Sequence, residues 1–250
     1  MTPGAHGPDF GGFHPAAFQF LRDLARHNQR EWFEAHRGVY ERELREPMRR
    51  LVEVLDARLG RIAPEIVGDP RRSMFRIHRD VRFSADKSPY KTNAGAWLYH
   101  RGAGRKVGRE GEGGGAGFYF HVDPFTCFVA GGIWMPAPPA LRRIREAIAA
   151  QPAALARLTR VEAFRRRFDG VTEEVKLRRV PRGFPSDHPA AEWLKLQSFT
   201  ARASIERGVV TSPRLVAALC RDFALLLPLV RWLNHALGHP PARTRRSPAA

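Results

Sequence analysis

The chain has 250 residues, 43% hydrophobic and 27% charged, which excludes a wholly disordered polymer, a collagen-like repeat and a membrane bundle. Lys and Arg number 42 against 25 Asp and Glu, giving a formal net charge of +17. Two cysteines are too few for a disulfide framework or a four-cysteine metal site.

In chain order, Pro15 suits a first helical position, and Phe18, Leu21, Leu24 and Ala25 recur at three- and four-residue spacing. A break at His27-Asn28 precedes a second predicted helix from Arg30 to Arg45, with Trp32, Phe33, His36 and Tyr40 along one side. Pro47 restarts the chain, and Met48, Leu51, Val52, Leu55 and Leu59 form a third apolar stripe ending at Gly60. The period then changes to two. Met74 to Phe83 places Phe75, Ile77, Val81 and Phe83 on one face and Arg76, His78, Asp80 and Arg82 on the other. Asn93–His100, Gly117–Asp123 and Phe125–Trp134 complete a predicted set of four strands, the last broken at Gly131-Gly132. Arg101 to Gly117, rich in Gly and charge, reads as a mobile loop. Its Gly111-x-Gly113 spacing is not a dinucleotide fingerprint, because a strand follows it where a helix is needed.

Helices return after Pro138-Pro139, then over Ala153–Phe168, Pro189–Gln197 and Arg214–Leu237, with Pro228 expected to kink or split the last. The expected architecture is α+β: an antiparallel meander of about four strands flanked by N-terminal and C-terminal helices. It forms a single domain over residues 10–238, with flexible termini at 1–9 and 239–250. Residues Met1 to His14 lack the basic start and apolar stretch of a signal peptide. Leu215 to Leu237 is too interrupted by polar residues to cross a bilayer, so the expectation is a soluble, cytoplasmic protein with no membrane partner. Cys127 and Cys220 sit in strand-like and helix-like apolar runs and read as packed thiols.

Excess positive charge attracts polyanions, which makes nucleic acid a candidate partner. The skew is nearly all arginine, however, as a GC-rich coding sequence also produces, and the basic residues are spread over every segment. The densest chemistry lies between Met74 and Asn93. Arg76 and Arg82 can grip phosphate or carboxylate oxygens as bidentate forks. His78 beside Asp80 suits a general acid–base pair. Arg79, Lys87, Tyr90 and Lys91 extend the cluster, and His121 joins it if its strand lies nearby. His78, Asp80, His121 and Asp123 could ligate a divalent ion if those two strands lie side by side. The bland alternative is an ion-pair ladder that fixes strand register. A second polar block runs from Arg178 to His188, where Asp187 or His188 suits a helix cap at Pro189 and Arg179, Arg182 and Lys195 suit an anion.

Several runs carry a family resemblance: Phe18-x-Phe-Leu-Arg-Asp-Leu24, Asn28-x-Arg-Glu-Trp-Phe-Glu34, Arg79-Asp-Val-Arg-Phe-Ser84 and Asp86-Lys-Ser-Pro-Tyr-Lys-Thr92. Gly117-Phe-Tyr-Phe-His121, Gly131-Gly-Ile-Trp-Met-Pro136 and Pro181-Arg-Gly-Phe184 with His188-Pro189 add to it. Together they resemble the bacterial and fungal conserved hypothetical proteins grouped as domain of unknown function 2461, over roughly Phe10 to Leu237. Gln197 departs from the lysine of that pattern. The resemblance implies a single domain and brings no cofactor or catalytic residue with it. Three functional expectations remain: a site for a small anionic ligand on the polar face, with catalysis open; a nucleic-acid-binding module; and a structural or partner-binding protein. Cofactor and oligomeric state are not legible.

Overall fold

Residues 10–82, 85–105 and 114–242 are described in a computed structural model. Helix α1, Pro15–Arg26, starts where His14 is extended and its ring Nδ1 accepts from the Ala16 N–H, with Pro15 supplying the fixed φ of the first turn. It buries Phe18, Phe20, Leu21 and Leu24. Helix α2, Arg30–Val39, and helix α3, Glu46–Leu59, are joined by a π-helical turn over Tyr40–Arg45. Backbone angles stay right-handed helical through Val39, Tyr40, Arg45 and Glu46, so the chain does not restart at Pro47 as its sequence suggests. Proline lacks an N–H and crowds the carbonyl four residues back; a widened turn just ahead of it accommodates both.

Five strands, one more than expected, form an antiparallel sheet in the order β1-β2-β3-β4-β5. They are β1 Ile66–Val67, β2 Ala94–His100, β3 Gly117–Val122, β4 Phe128–Ile133 and β5 Phe199–Ser204. Strand β4 runs straight through Gly131-Gly132 and is not broken there. Gly132 has φ +128°, and a Cβ built on it would lie 1.9 Å from the Phe199 carbonyl oxygen, so glycine is what lets β5 approach. Between β4 and β5 come α4 Pro138–Ala150, α5 Ala154–Thr159, α6 Glu162–Phe168 and α7 Ala191–Leu194. The single helix expected over 153–168 is thus two, and the one over 189–197 is a single turn. His188 accepts from the Ala190 N–H at 3.0 Å in the turn ahead of this helix; the helix begins at Ala191 and not at Pro189, and no side chain caps it.

After the short α8, Arg207–Val210, helix α9 spans Arg214–Ala236 and packs on the inner face of the sheet. Phe223 stacks on Phe118 with centroids 4.5 Å apart. Pro228 lies inside α9 without splitting it. Three polar links tie this helix to the rest. Asp222 takes a two-pronged bond from Arg167, Asn234 pairs with both backbone groups of Ala116, and Arg231 reaches the buried Glu65. No helix among the described residues is long and apolar enough to cross a membrane.

Candidate functional site: an arginine-lined cleft beside the sheet edge

The segment expected to be the first strand, Met74–Phe83, is not a regular strand. Its fate explains the site. Ile66 pairs with His100, but Met74 pairs with Ala96, so four more residues have been used on the edge than on β2. The surplus is the turn Asp69–Arg72, whose first carboxylate accepts from the Arg71 and Arg72 N–H groups. Beyond it, Phe75 donates to the Gly95 carbonyl, and a second short contact forms where His78 bridges Tyr90. Between and after these bridges the ladder lapses. Alternating exposure nevertheless survives: Arg76, His78, Asp80 and Arg82 face solvent, whereas Phe75, Ile77 and Val81 turn inward. Phe83 lies outside the described residues, as does the Gly111-x-Gly113 spacing.

This irregular edge forms one wall of an open cleft of about 760 Å³; the π-helical turn and the first part of α3 form the other. Apolar surface comes from Phe33, Tyr40, Pro70, Met74, Phe75 and Ile77. Charge comes from Arg37, Arg45, Arg49, Arg71, Arg76 and Arg105, with His78, Glu41 and Glu46. The arginines divide into two groups. Arg37 is paired with Glu34 at 2.6 Å, Arg45 with Glu41 at 2.8 Å, and Arg49 with both Glu46 and Glu53 at 2.6 Å. These contacts hold the Glu34 and Glu46 carboxyls below their usual range and raise the three arginines further. The guanidinium groups of Arg71, Arg76 and Arg105 have no hydrogen-bonding or ion-pair partner among the described residues. They come from three different places: the bulge turn, the edge segment and the turn after β2.

Of the residues singled out by sequence, Arg76 and His78 therefore line the cleft. The others are engaged elsewhere. Asp80 does not hold His78; it takes both prongs of Arg82, at 3.0 and 2.7 Å, and that contact together with the Arg82 N–H drives its carboxyl far below the usual range. Arg79 contacts Asp86 at 3.1 Å and donates to the Tyr90 carbonyl, and Lys87 donates to the Val81 carbonyl. These bonds close the 79–91 loop on itself. The Tyr90 ring is buried against Phe33, centroids 4.1 Å apart. Its backbone N–H and carbonyl are both held by the Asn28 side chain, at 3.0 and 2.9 Å. The ammonium group of Lys91 lies 5.6 Å from the centroid of the Phe75 ring.

His121 is separated from the edge segment by β2 and does not reach the cleft. It lies on the outer sheet face, stacked on Phe128 at 4.5 Å, with Nδ1 2.9 Å from the Tyr119 hydroxyl. Burial pushes the Tyr119 hydroxyl up to about 12 and His121 down, which favours the uncharged form of both partners in this hydrogen bond. A glycine opposite makes room: a Cβ on Gly95 would sit 2.4 Å from the Tyr119 oxygen. Asp123 caps the following turn, accepting from Phe125 and Thr126. Burial raises the Cys127 and Cys220 thiols, as befits packed rather than nucleophilic cysteines.

Sequence reasoning missed Arg71 and Arg105, which supply two of the three unpaired cations. The Asp69-Pro70 pair was a usable turn signal for the first. Arg105 opens the Gly-rich loop and carries no periodic signal.

Fold and site together define the class: an α+β protein with a five-stranded antiparallel meander, helices on its inner face, and a basic, partly apolar cleft where the sheet edge frays. The model of the family described as conserved hypothetical protein (DUF2461) matches residues 16–232. The chain belongs to that family. No curated protein and no solved structure matches it.

Proposed function

We propose that the cleft between the π-helical turn and the sheet edge binds a small anionic ligand bearing phosphate or carboxylate groups. One observation carries the reading. Among the described residues, the guanidinium groups of Arg71, Arg76 and Arg105 line one cavity with no contact ion pair or hydrogen bond, Arg76 acting on Asp80 only through space, whereas the other cleft arginines are all paired. Unpaired like charges repel, so their concentration is best accounted for by an anion that neutralises them. The volume lies within the range usual for small-molecule sites, roughly 300–1,000 Å³. His78, exposed on the same wall, is the titratable group positioned to exchange a proton with such a ligand. A thermal-shift series with inorganic phosphate, pyrophosphate, citrate and nucleotides tests the reading, because a ligand of the native state raises Tm by mass action. The expected result is a shift that disappears in Arg76→Ala. No shift with any anion, or one that Arg76→Ala leaves unchanged, refutes it.

A second reading is a nucleic-acid interface, favoured by the exposed arginines Arg178, Arg179 and Arg182, which have no carboxylate partner among the described residues. Binding of short oligonucleotides that weakens steeply with added salt and survives Arg76→Ala would select it.

A further inference from the structure

We infer that the cleft's ligand is an organic polyphosphate: two or more linked phosphates joined to an apolar or aromatic group. This rests on the anion-binding reading of the cleft and narrows it to a substrate class. Charge supplies the first argument. A phosphate monoester carries about −1.5 to −2 at neutral pH, which leaves at least one of the three unpaired guanidinium groups without a counter-charge. A carboxylate leaves two. A diphosphate or triphosphate group can engage all three, each through the planar fork that arginine offers to phosphate oxygens. The origin of the three groups points the same way. They enter the lining from three separate segments, the bulge turn, the frayed edge and the turn after β2, so a ligand that meets all three must offer more than one anionic group.

Shape and polarity supply the second argument. A cavity of about 760 Å³ far exceeds what an inorganic phosphate fills; at ~30 Å³ per water it holds some two dozen water volumes. Part of its wall is apolar, with half-buried Tyr40, Met74 and Phe75 exposed to the cavity. Such surface favours an organic moiety over solvent. A ligand with phosphates among the arginines and a ring or hydrocarbon on Met74 and Tyr40 uses both halves of the site. Nucleoside di- and triphosphates have this build and serve as the probes.

The experiment is calorimetric titration of the full chain with orthophosphate, pyrophosphate, AMP, ADP, ATP and adenosine at fixed low salt. Affinity should rise from orthophosphate to pyrophosphate, and again from pyrophosphate to ADP, with no measurable heat from adenosine alone. Arg71→Ala, Arg76→Ala and Arg105→Ala should each weaken ADP about tenfold or more, in line with loss of a charge-assisted contact. Met74→Ala should weaken ADP and leave pyrophosphate unchanged, with circular dichroism confirming that each variant folds. Orthophosphate binding as tightly as pyrophosphate overturns the polyphosphate inference, and pyrophosphate matching ADP overturns the organic part. Both results leave the anion site standing. Absence of binding by every anion overturns that reading as well.

Discussion

The wall that carries His78 and Arg76 is held to the helices by the Tyr90 ring stacked on Phe33 and by the side chain of Asn28. Asn28, in the break between α1 and α2, donates to the Tyr90 carbonyl at 2.9 Å and accepts from the Tyr90 N–H at 3.0 Å. Tyr90 is 2% exposed, and its carbonyl has a further donor in Arg79. Asn28→Ala therefore leaves that carbonyl with a partner and strands the N–H without its Asn28 acceptor. Losing the pair and desolvating the donor costs about 1–3 kcal/mol. In a chain of this size each kcal/mol lowers Tm by ~2–4 °C, so the expected drop is roughly 2–12 °C. The local effect should exceed the global one, because the Tyr90–Phe33 stack is then left to fasten the 79–91 loop to α2 without the two Asn28 hydrogen bonds. Hydrogen exchange followed by mass spectrometry should show faster exchange over residues 77–91 while β3 and β4 stay protected. The anion-induced Tm shift should shrink as the cleft wall loosens. Unchanged exchange at the Tyr90 amide, with Tm within 1 °C of wild type on the same scale, would refute the idea that Asn28 sets the position of this wall.

Other consequences follow from the packing. Asp222 is 6% exposed and takes two bonds from Arg167, so Arg167→Met, which strands the carboxylate, should cost about 3–5 kcal/mol in urea unfolding. Asp222→Ala should cost less, since the Arg167 side chain is 33% exposed and keeps its bond to the Ser204 carbonyl. Burial lowers His121 from its ordinary value of 6.5, so the unfolded chain takes up a proton before the folded one does. Stability then falls as pH drops through 6.5 and levels off below the folded value. His121→Gln should lessen the loss of Tm on acidification; His239, lowered by burial in the same way, keeps part of it. Gly132→Ala forces a Cβ to within 1.9 Å of the Phe199 oxygen at a φ of +128°, so it should cost well above the ~1 kcal/mol of an average substitution and part β5 from β4. Soluble protein with wild-type Tm would show that the two strands can yield there.

The elements legible in sequence are those whose burial follows their own period. Phe118, Phe120 and Val122 alternate against Tyr119 and His121, and β3 is where that pattern says it is. The α1 and α3 stripes are equally direct. The same rule explains the misreading of Met74–Phe83. Alternation reports which side chains meet solvent, and that persists along an extended segment whose hydrogen-bond ladder has been interrupted by a four-residue bulge. In β5 the inward residues Ala201 and Ala203 are too small to raise an alternating signal, although Phe199, Ala201 and Ala203 share the inner face. The π-helical turn has no periodic signature at all. It is visible only as the spacing needed to bring Glu46 and Pro47 into line with the preceding helix.

The net charge of +17 was the loudest feature of the sequence and the least informative about the site. Arginines on helices find glutamates three or four residues away, as Arg37, Arg45 and Arg49 do, so their number says little about ligands. Arginines in turns have no such guaranteed neighbour. Arg71 lies in a bulge that exists only because β1 and the edge segment fall out of register with β2, and Arg105 leaves β2 by a turn. Their convergence with Arg76 depends on the pairing of the edge segment with β2, which no local pattern encodes. Arg82, which in sequence looks equivalent to Arg76, is instead taken by Asp80 two residues away. An arginine with a carboxylate at hydrogen-bonding distance in the local chain is spent on an ion pair, as Arg37, Arg45, Arg49 and Arg82 are, and tertiary geometry decides where those without one come together.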